Sequence, residues 1–376
     1  MRIGLVVPGF SANEADWCIP ALRDLVQQLA AQADVQVFAV RYPYSSGRYQ
    51  LFGAEVVALG GGTRRGPASA ALWSRTLARL AAEHRARRFD VLHAFWTNET
   101  GAIAAVAGRL LGVPTMVSVA GGELVALRDL GYGDQLARTA RLKTLLALRL
   151  ARSVGVGSRL MLEQVGPWLG GRPTGTARLL PLGVDLERFR PAEATPSDRR
   201  PRLVHVASLV PVKDQETLLQ AVRILDRGGI SFTFEIAGSG PLGPRLQSLT
   251  TELGLSDRVC WRGAIAHDRL PDLYRRGDLF VLSSRHEAQY LAVLEAAATS
   301  LPFVSTNVGV APELAPGAGM IVEVGAVEAL AEAIATLLQE PGRRRELGQA
   351  ARNRIREEFE LKEATRRFRA AYEELQ

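Results

Sequence analysis

Short runs rich in Val, Ile, Leu and Phe alternate with segments of helical period from one end of this chain to the other, and that alternation restricts the fold more than any other feature. In the first half, runs near 2–7, 35–40, 54–58, 90–95, 114–119, 153–157 and 178–181 read as strands; in the second, runs near 202–207, 232–237, 258–262, 278–283, 302–305 and 320–323 do. Continuous apolar strands need cover on both faces, which βαβ units in a parallel sheet supply. With 376 residues the chain exceeds one ordinary core, so the strands divide into two Rossmann-like α/β domains of about 150–200 residues each. Arg190-Pro-Ala-Glu-Ala-Thr-Pro-Ser-Asp-Arg-Arg-Pro201 has three prolines and no periodicity and reads as the linker. The expected division is 1–190, 191–355 and a closing helical segment 356–376 that packs back on the first domain. Between 343 and 376, Leu347, Ile355, Phe359, Phe368 and Tyr372 are the expected buried positions.

Bulk properties narrow the function. Two cysteines, Cys18 and Cys260, provide neither a disulfide framework nor a metal-ligand cluster. The amino terminus begins as a strand rather than an apolar leader, and no run approaches the ~18 apolar residues that span a bilayer, so the expectation is a cytoplasmic protein. The formal charge of +7 is unevenly placed: residues 1–190 carry 23 Lys and Arg against 14 Asp and Glu, whereas 191–376 carry 23 against 25. Arg138, Arg141, Arg149 and Arg152 fall in one helical segment with Leu142, Leu145, Leu146 and Leu150. That pattern reads either as a solvated helix face or as a peripheral contact with anionic lipid on the inner face of a membrane. The basic stretches lack interleaved aromatics, so no nucleic-acid partner is expected.

Two acids stand out locally. Glu287 and Glu295 bracket the passage from an apolar strand, Asp278-Leu-Phe-Val-Leu-Ser-Ser284, to an apolar helix, Leu291-Ala-Val-Leu-Glu-Ala-Ala-Ala298. Carboxyl ends of parallel strands are where ligands bind, and Glu295 interrupts a helix face of Leu, Val and Ala. In isolation they also read as a helix-cap acid and a salt-bridged side chain. Lys213 is one of three lysines among 46 basic residues and stands just before a helix start, where a compact charge suits a phosphate. Gly238-Ser-Gly240 follows a strand, so either a ligand or a helix end approaches the bare backbone or the glycines form a plain left-handed turn.

Taken in order, Val206-Ala-Ser-Leu209, Lys213-Asp214, Gly238-Ser-Gly-Pro241, Val259-Cys-Trp-Arg-Gly263, the Asp278–Ser284 strand, Glu287 through Glu295 and Val308-Gly-Val-Ala-Pro-Glu313 resemble the retaining family-4 glycosyltransferases of GT-B architecture. Leu180-Pro-Leu-Gly-Val-Asp185, with Phe189 and Pro191, resembles that family's hinge. The resemblance implies an α/β GT-B fold, two Rossmann-like domains whose parallel sheets face a central cleft. It also implies transfer of a sugar from a UDP or GDP donor to an acceptor hydroxyl, without metal or cofactor, on a glycan or lipid-linked acceptor. Lys213 would neutralise the diphosphate, Glu295 would accept from the ribose hydroxyls, and Glu287 would face the donor sugar. Ser208, Gly238, Gly263, Tyr290 and the backbone from Leu291 complete the donor side.

The chain also departs from the family pattern. Ser208 stands where the family has a diphosphate-binding Arg, Tyr290 where it has Gly, and Val310 where the later loop has a second Gly. A bulky Tyr290 would narrow the sugar pocket or stack on the sugar. Ala120-Gly121-Gly122-Glu123 lacks the His that many relatives carry near the reacting sugar. His93, at the end of Asp90-Val-Leu-His, reads equally as a catalytic group and as a core histidine. On the acceptor side the residues expected are Phe10, Ser11, Gly121, Gly122 and Glu123. Two alternatives stay open, a non-catalytic nucleotide-sugar-binding protein and a nucleotide-sugar epimerase. A nicotinamide dehydrogenase is disfavoured because strand one leads into Pro8-Gly-Phe-Ser rather than Gly-x-Gly-x-x-Gly.

Overall fold

The computed structural model describes residues 1–63, 67–192 and 199–376. The chain divides into two compact units, Met1–Gly183 with Leu361–Gln376, and Val184–Glu360. The first is built on an eight-stranded sheet of β1 (Arg2–Gly9), β2 (Asp34–Tyr42), β3 (Ser46–Leu51), β4 (Ala54–Leu59), β5 (Val91–Phe95), β6 (Thr115–Val119), β7 (Ser153–Val156) and β8 (Ala177–Leu179). In space their order is β3-β4-β2-β1-β5-β6-β7-β8. Every pairing is parallel except that of β3 with β4. Nearly every residue of β1 is buried, as expected of a strand covered on both faces.

β3 is an addition to the expected strands. Its sequence, Ser-Gly-Arg-Tyr-Gln-Leu, is polar and largely exposed, because an antiparallel edge strand needs no apolar run. Phe52 and Gly53 turn it into β4, and both have positive φ, which a tight two-residue hairpin turn of the primed type requires.

The second unit carries a six-stranded, all-parallel sheet of β9 (Arg202–Val206), β10 (Thr233–Ala237), β11 (Val259–Gly263), β12 (Leu279–Leu282), β13 (Phe303–Thr306) and β14 (Gly319–Val322). Its order is β11-β10-β9-β12-β13-β14. The connection after β9 runs to one side and the connection into β12 to the other, so β9 and β12 flank a topological switch point. β1 and β5 flank the corresponding point in the first unit. At such a point neighbouring loops diverge and leave room at the carboxyl ends of the strands.

The closing helix Leu361–Glu373 belongs to the first unit, where Phe368 and Tyr372 join the core of β1, β2, β5 and the helix Pro20–Ala30. Ile355 and Phe359, on the π-helical turn before it, are buried in the second unit, and Leu347 is half-buried there. The middle of the expected linker, 193–198, lies outside the described residues. Its flank Arg199 pairs with Asp278 at 2.6 Å. Among the described residues no helix is long and apolar enough to cross a membrane.

Candidate active site

In the second unit the switch point is lined by the loop after β9 and the loop after β12. The first is held tightly. Ala207 N donates to Ala237 O at 3.1 Å, Leu209 N to Ser239 O at 2.9 Å, and the side-chain amide of Gln215 to Ser208 O at 3.0 Å. Gly238 is the residue that permits this. Its φ is +143°, and a Cβ there would sit 1.8 Å from Ala207 O. Of the two readings of Gly-x-Gly, the structure favours close backbone approach, with a neighbouring loop as the visitor. His205 lies beneath, with Nδ1 2.9 Å from Val281 O, and burial pushes its imidazole down to about 4.

That loop delivers Lys213 to the loop after β12. Lys213 Nζ donates to Glu287 Oε1 at 2.5 Å, and Ser284 Oγ donates to the same oxygen at 2.7 Å. The two side chains retain only 17% and 10% exposure, so the pair is screened far less than a surface salt bridge. Residues expected in separate roles thus form one charge pair across the switch point. The two loops are clasped further by Arg285 N donating to Val212 O and by Ser283 Oγ donating to Lys213 O.

Tyr290 packs its bulk into the base of the site. Its backbone occupies the left-handed region, φ +75°, that the family fills with Gly. Its ring is buried beside Phe280, and its hydroxyl donates to Val206 O at 2.9 Å. Burial, then the charges of Glu287 and Glu295, hold that hydroxyl well above the ordinary phenol range. The ring therefore backs the Lys213 ammonium, 4.9 Å from its centroid. Gly309 lets the later loop close over this region: a Cβ there would meet Gln289 O at 2.5 Å, and Val310 N donates to the same oxygen.

Glu295 is buried one turn into the helix Leu291–Ala298, and both of its oxygens are engaged, Oε1 with His267 Nε2 at 2.7 Å and Oε2 with the Tyr274 hydroxyl at 2.9 Å. Burial and the Glu295 charge raise the Tyr274 hydroxyl well above its usual range. Reading the sequence missed His267 and Tyr274. The available signal was the need of a buried carboxylate for donors, which names no particular residue. Ser208 is exposed on its loop, and Gly263, φ +66°, faces open space while its carbonyl accepts from Gly238 N.

In the first unit the loops after β1, β5 and β6 carry buried polar atoms that lack partners among the described residues. Ser11 and Glu123 are buried, as is Thr97, which the sequence did not single out. Glu123 Oε1 accepts from Thr97 N and Ala120 N, but Glu123 Oε2, Thr97 Oγ1 and Ser11 Oγ have no hydrogen-bond partner among the described residues. Burial pushes the Glu123 carboxyl up. Gly122 abuts the ring of Tyr132, Gly121 lies beside Trp96, and Phe10 is buried in the core. Nearby, a pocket of about 290 Å³ is lined by Pro8, Arg41, Asn98, Glu99, Ala140 and Lys143, with Arg41 paired to Glu99 at 2.7 Å.

His93 corrects the expectation of a catalytic role. It is fully buried, with Nδ1 2.7 Å from the Tyr372 hydroxyl and Nε2 2.9 Å from Ser118 Oγ. Both nitrogens are occupied and burial holds the ring down to about 3, so no edge is left for a substrate. Among the described residues no three His, Cys, Asp or Glu side chains gather as a metal-binding group.

Comparison with known proteins bears on family and fold. Residues 187–354 match the family model of glycosyl transferases group 1, and residues 19–183 match that of a glycosyl transferase 4-like domain. Among curated relatives, a Mycobacterium tuberculosis GDP-mannose-dependent alpha-(1-6)-phosphatidylinositol monomannoside mannosyltransferase is 32% identical over 197 residues, 48% of this chain and 51% of that protein. Alpha-D-kanosaminyltransferase of Streptomyces kanamyceticus is 31% identical over 180 residues, 47% of each. The chain spans about half the length of the curated relatives it matches. A sucrose-phosphate synthase from Thermosynechococcus elongatus superposes with a TM-score of 0.83 at 21% identity, covering 100% of this chain and 99% of that one. Anabaena HepE in complex with UDP gives 0.75 at 19%, covering all of both. The fold is GT-B.

Proposed function

We propose that this chain, which belongs to the family of glycosyl transferases group 1, moves a hexosyl group from a nucleotide diphosphate sugar to an acceptor hydroxyl with retention of anomeric configuration. The observation that carries the reading is the Lys213–Glu287 pair at the switch point between β9 and β12. As the bond from the anomeric carbon to the β-phosphate oxygen breaks, negative charge builds on the leaving diphosphate. An ammonium and the free N–H groups at the start of the helix Leu291–Ala298 are suited to hold it. In the resting site Glu287 shares the ammonium. An arriving diphosphate takes Lys213 over and releases Glu287 toward the donor sugar, where a carboxylate orients hydroxyls or stabilises oxocarbenium character. Glu295, fixed by His267 and Tyr274, is assigned to the ribose hydroxyls through its remaining lone pairs.

The first unit is assigned the acceptor. Ser11, Thr97 and Glu123 offer buried oxygens without partners, and an acceptor hydroxyl supplies what they lack. A raised Glu123 carboxyl stays protonated more readily and so can donate as well as accept. Relatives named for phosphatidylinositol monomannoside support a lipid-linked or cell-envelope glycan as acceptor, met at the inner face of a membrane. UDP in the HepE complex and GDP-mannose in the mycobacterial name leave both donors in contention.

Isothermal titration with UDP and GDP, followed by hydrolysis and transfer assays with the matching hexose donors, tests the reading. Binding with turnover supports it. Binding without turnover across plausible acceptors favours a nucleotide-sugar-binding protein, and absence of binding by the folded chain removes the donor site altogether.

A further inference from the structure

We infer that the helix Arg138–Leu150 docks the first unit on an anionic bilayer surface, an inference that rests on the proposed lipid-linked acceptor. Along this helix Leu142, Leu146 and Leu150 recur every four residues, so they share one face, and they are 64%, 38% and 39% exposed. A stripe of leucines on an exposed helix surface is costly in water and marks an interaction face. The opposite face is satisfied: Thr144, Ala147 and Leu148 are buried, and the helix packs on the helix Glu99–Leu111.

Charge selects the occupant. The helix holds Arg138, Arg141, Lys143 and Arg149 and no acidic residue, and Arg152 follows it. Arg138 and Arg149 lie beside the leucines on the exposed side, while Arg141 and Lys143 flank the stripe on either side, about 100° around the helix from Leu142. Apolar residues in the middle with cations on both shoulders is the arrangement of an interfacial helix. The leucines reach the acyl boundary while the long basic side chains extend to headgroup phosphates. A second copy of this chain would set cations against cations, which disfavours self-association through the same face.

The helix also ties the surface to the site. Ala140 and Lys143 line the pocket at the carboxyl edge of the first sheet, next to Arg41, Asn98 and Glu99. Lys143, at the shoulder of the leucine stripe about 100° around the helix from Leu142, is the residue that links that face to the pocket.

Flotation of the full chain through a density gradient with phosphatidylcholine vesicles, with and without phosphatidylglycerol, tests the inference. The wild-type chain is expected to float only with the anionic vesicles and to lose flotation as salt screens the arginines. The variant Leu142→Ser/Leu146→Ser/Leu150→Ser is expected to lose binding about tenfold or more while keeping a cooperative thermal transition, lowered only by the weaker helix propensity of Ser and the partial burial of Leu146 and Leu150. Arg138→Ala/Arg141→Ala/Arg149→Ala is expected to lose the preference for anionic vesicles. A wild-type chain that stays at the bottom of the gradient overturns the inference, as does a leucine variant that floats like wild type. Self-association abolished by the leucine changes, seen by sedimentation velocity without vesicles, assigns the face to a second copy and also overturns it. Donor hydrolysis and transfer to a short water-soluble acceptor, measured without vesicles, are expected to ignore the leucine changes. Their absence in the wild-type chain counts against the transferase reading alone and leaves flotation as a separate readout.

Discussion

Replacing Lys213 and Glu287 separately should move nucleotide affinity in opposite directions, because on the proposed reading Glu287 and an arriving diphosphate compete for the Lys213 ammonium. Lys213 Nζ lies 2.5 Å from Glu287 Oε1 in surroundings that exclude most water. Lys213→Ala deletes a charged donor to the diphosphate. Hydrogen bonds to charged groups contribute about 1.5–3 kcal/mol, which is a loss of about 10- to 150-fold in UDP or GDP affinity. Turnover should fall further, by about 10²–10³ relative to wild type, if the ammonium also meets the charge that develops on the leaving group. Glu287→Gln preserves shape and leaves an oxygen for Ser284, yet removes the anion that holds Lys213. The nucleotide diphosphate should then bind more tightly, while transfer slows for want of the carboxylate at the sugar. Isothermal titration of both variants with UDP and GDP, paired with single-turnover transfer rates, gives the two numbers required. Weaker binding in Glu287→Gln, or wild-type affinity and turnover in Lys213→Ala, would refute the competition.

Buried histidines should make stability fall on acidification. Burial holds the imidazoles of His93 and His205 down to about 3 and about 4, below the 6.5 of an ordinary histidine, so both contributions are intact above pH 6.5 and decline as pH falls toward the folded values. Each steepens the loss by about 1.4 kcal/mol per pH unit in its own unit. Urea unfolding at a series of pH values should show that slope, and His93→Gln should flatten it for the first unit. Gly238→Ala should destabilise the second unit by more than ~3 kcal/mol, since its Cβ would overlap Ala207 O, whereas Gly263→Ala, facing open space, should cost about 1 kcal/mol. Equal melting temperatures for the two glycine variants would contradict the packing argument. Phe368→Ala should cost about 3–5 kcal/mol in the first unit, although it lies at the far end of the chain from β1, and chemical denaturation measures it.

Much of the fold could be read because it rests on local pattern. Thirteen of the strands announce themselves as apolar runs between turn signals, and central strands such as β1, β5, β12 and β13 are buried as such runs demand. β3 did not, since a polar edge strand paired antiparallel through Phe52 and Gly53 carries no apolar run. The backbone at Tyr290 was equally hidden. A tyrosine at φ +75° is held there by its buried ring and its bond to Val206 O, contacts that exist only once β9 and the loop after β12 are neighbours.

The candidate site divides along the same line, between residue type and residue partner. Lys213, Glu287, Glu295 and His93 each drew notice by breaking a local rule: a lysine in an arginine-rich chain, acids beside apolar strands and helices, a histidine within a buried strand. What each does depends on a partner set by strand order. Lys213 and Glu287 are 74 positions apart and meet because β9 lies beside β12, so two irregularities combine at a switch point into one charged site. His93 meets Tyr372, 279 positions away, because the closing helix returns to the first sheet, and the same kind of irregularity becomes a satisfied part of the core. A polar residue in an apolar run therefore signals that topology must supply it with a partner. It becomes a site when that partner is another charge at the open ends of the strands, and a structural bond when the partner is a buried hydroxyl from a covering helix.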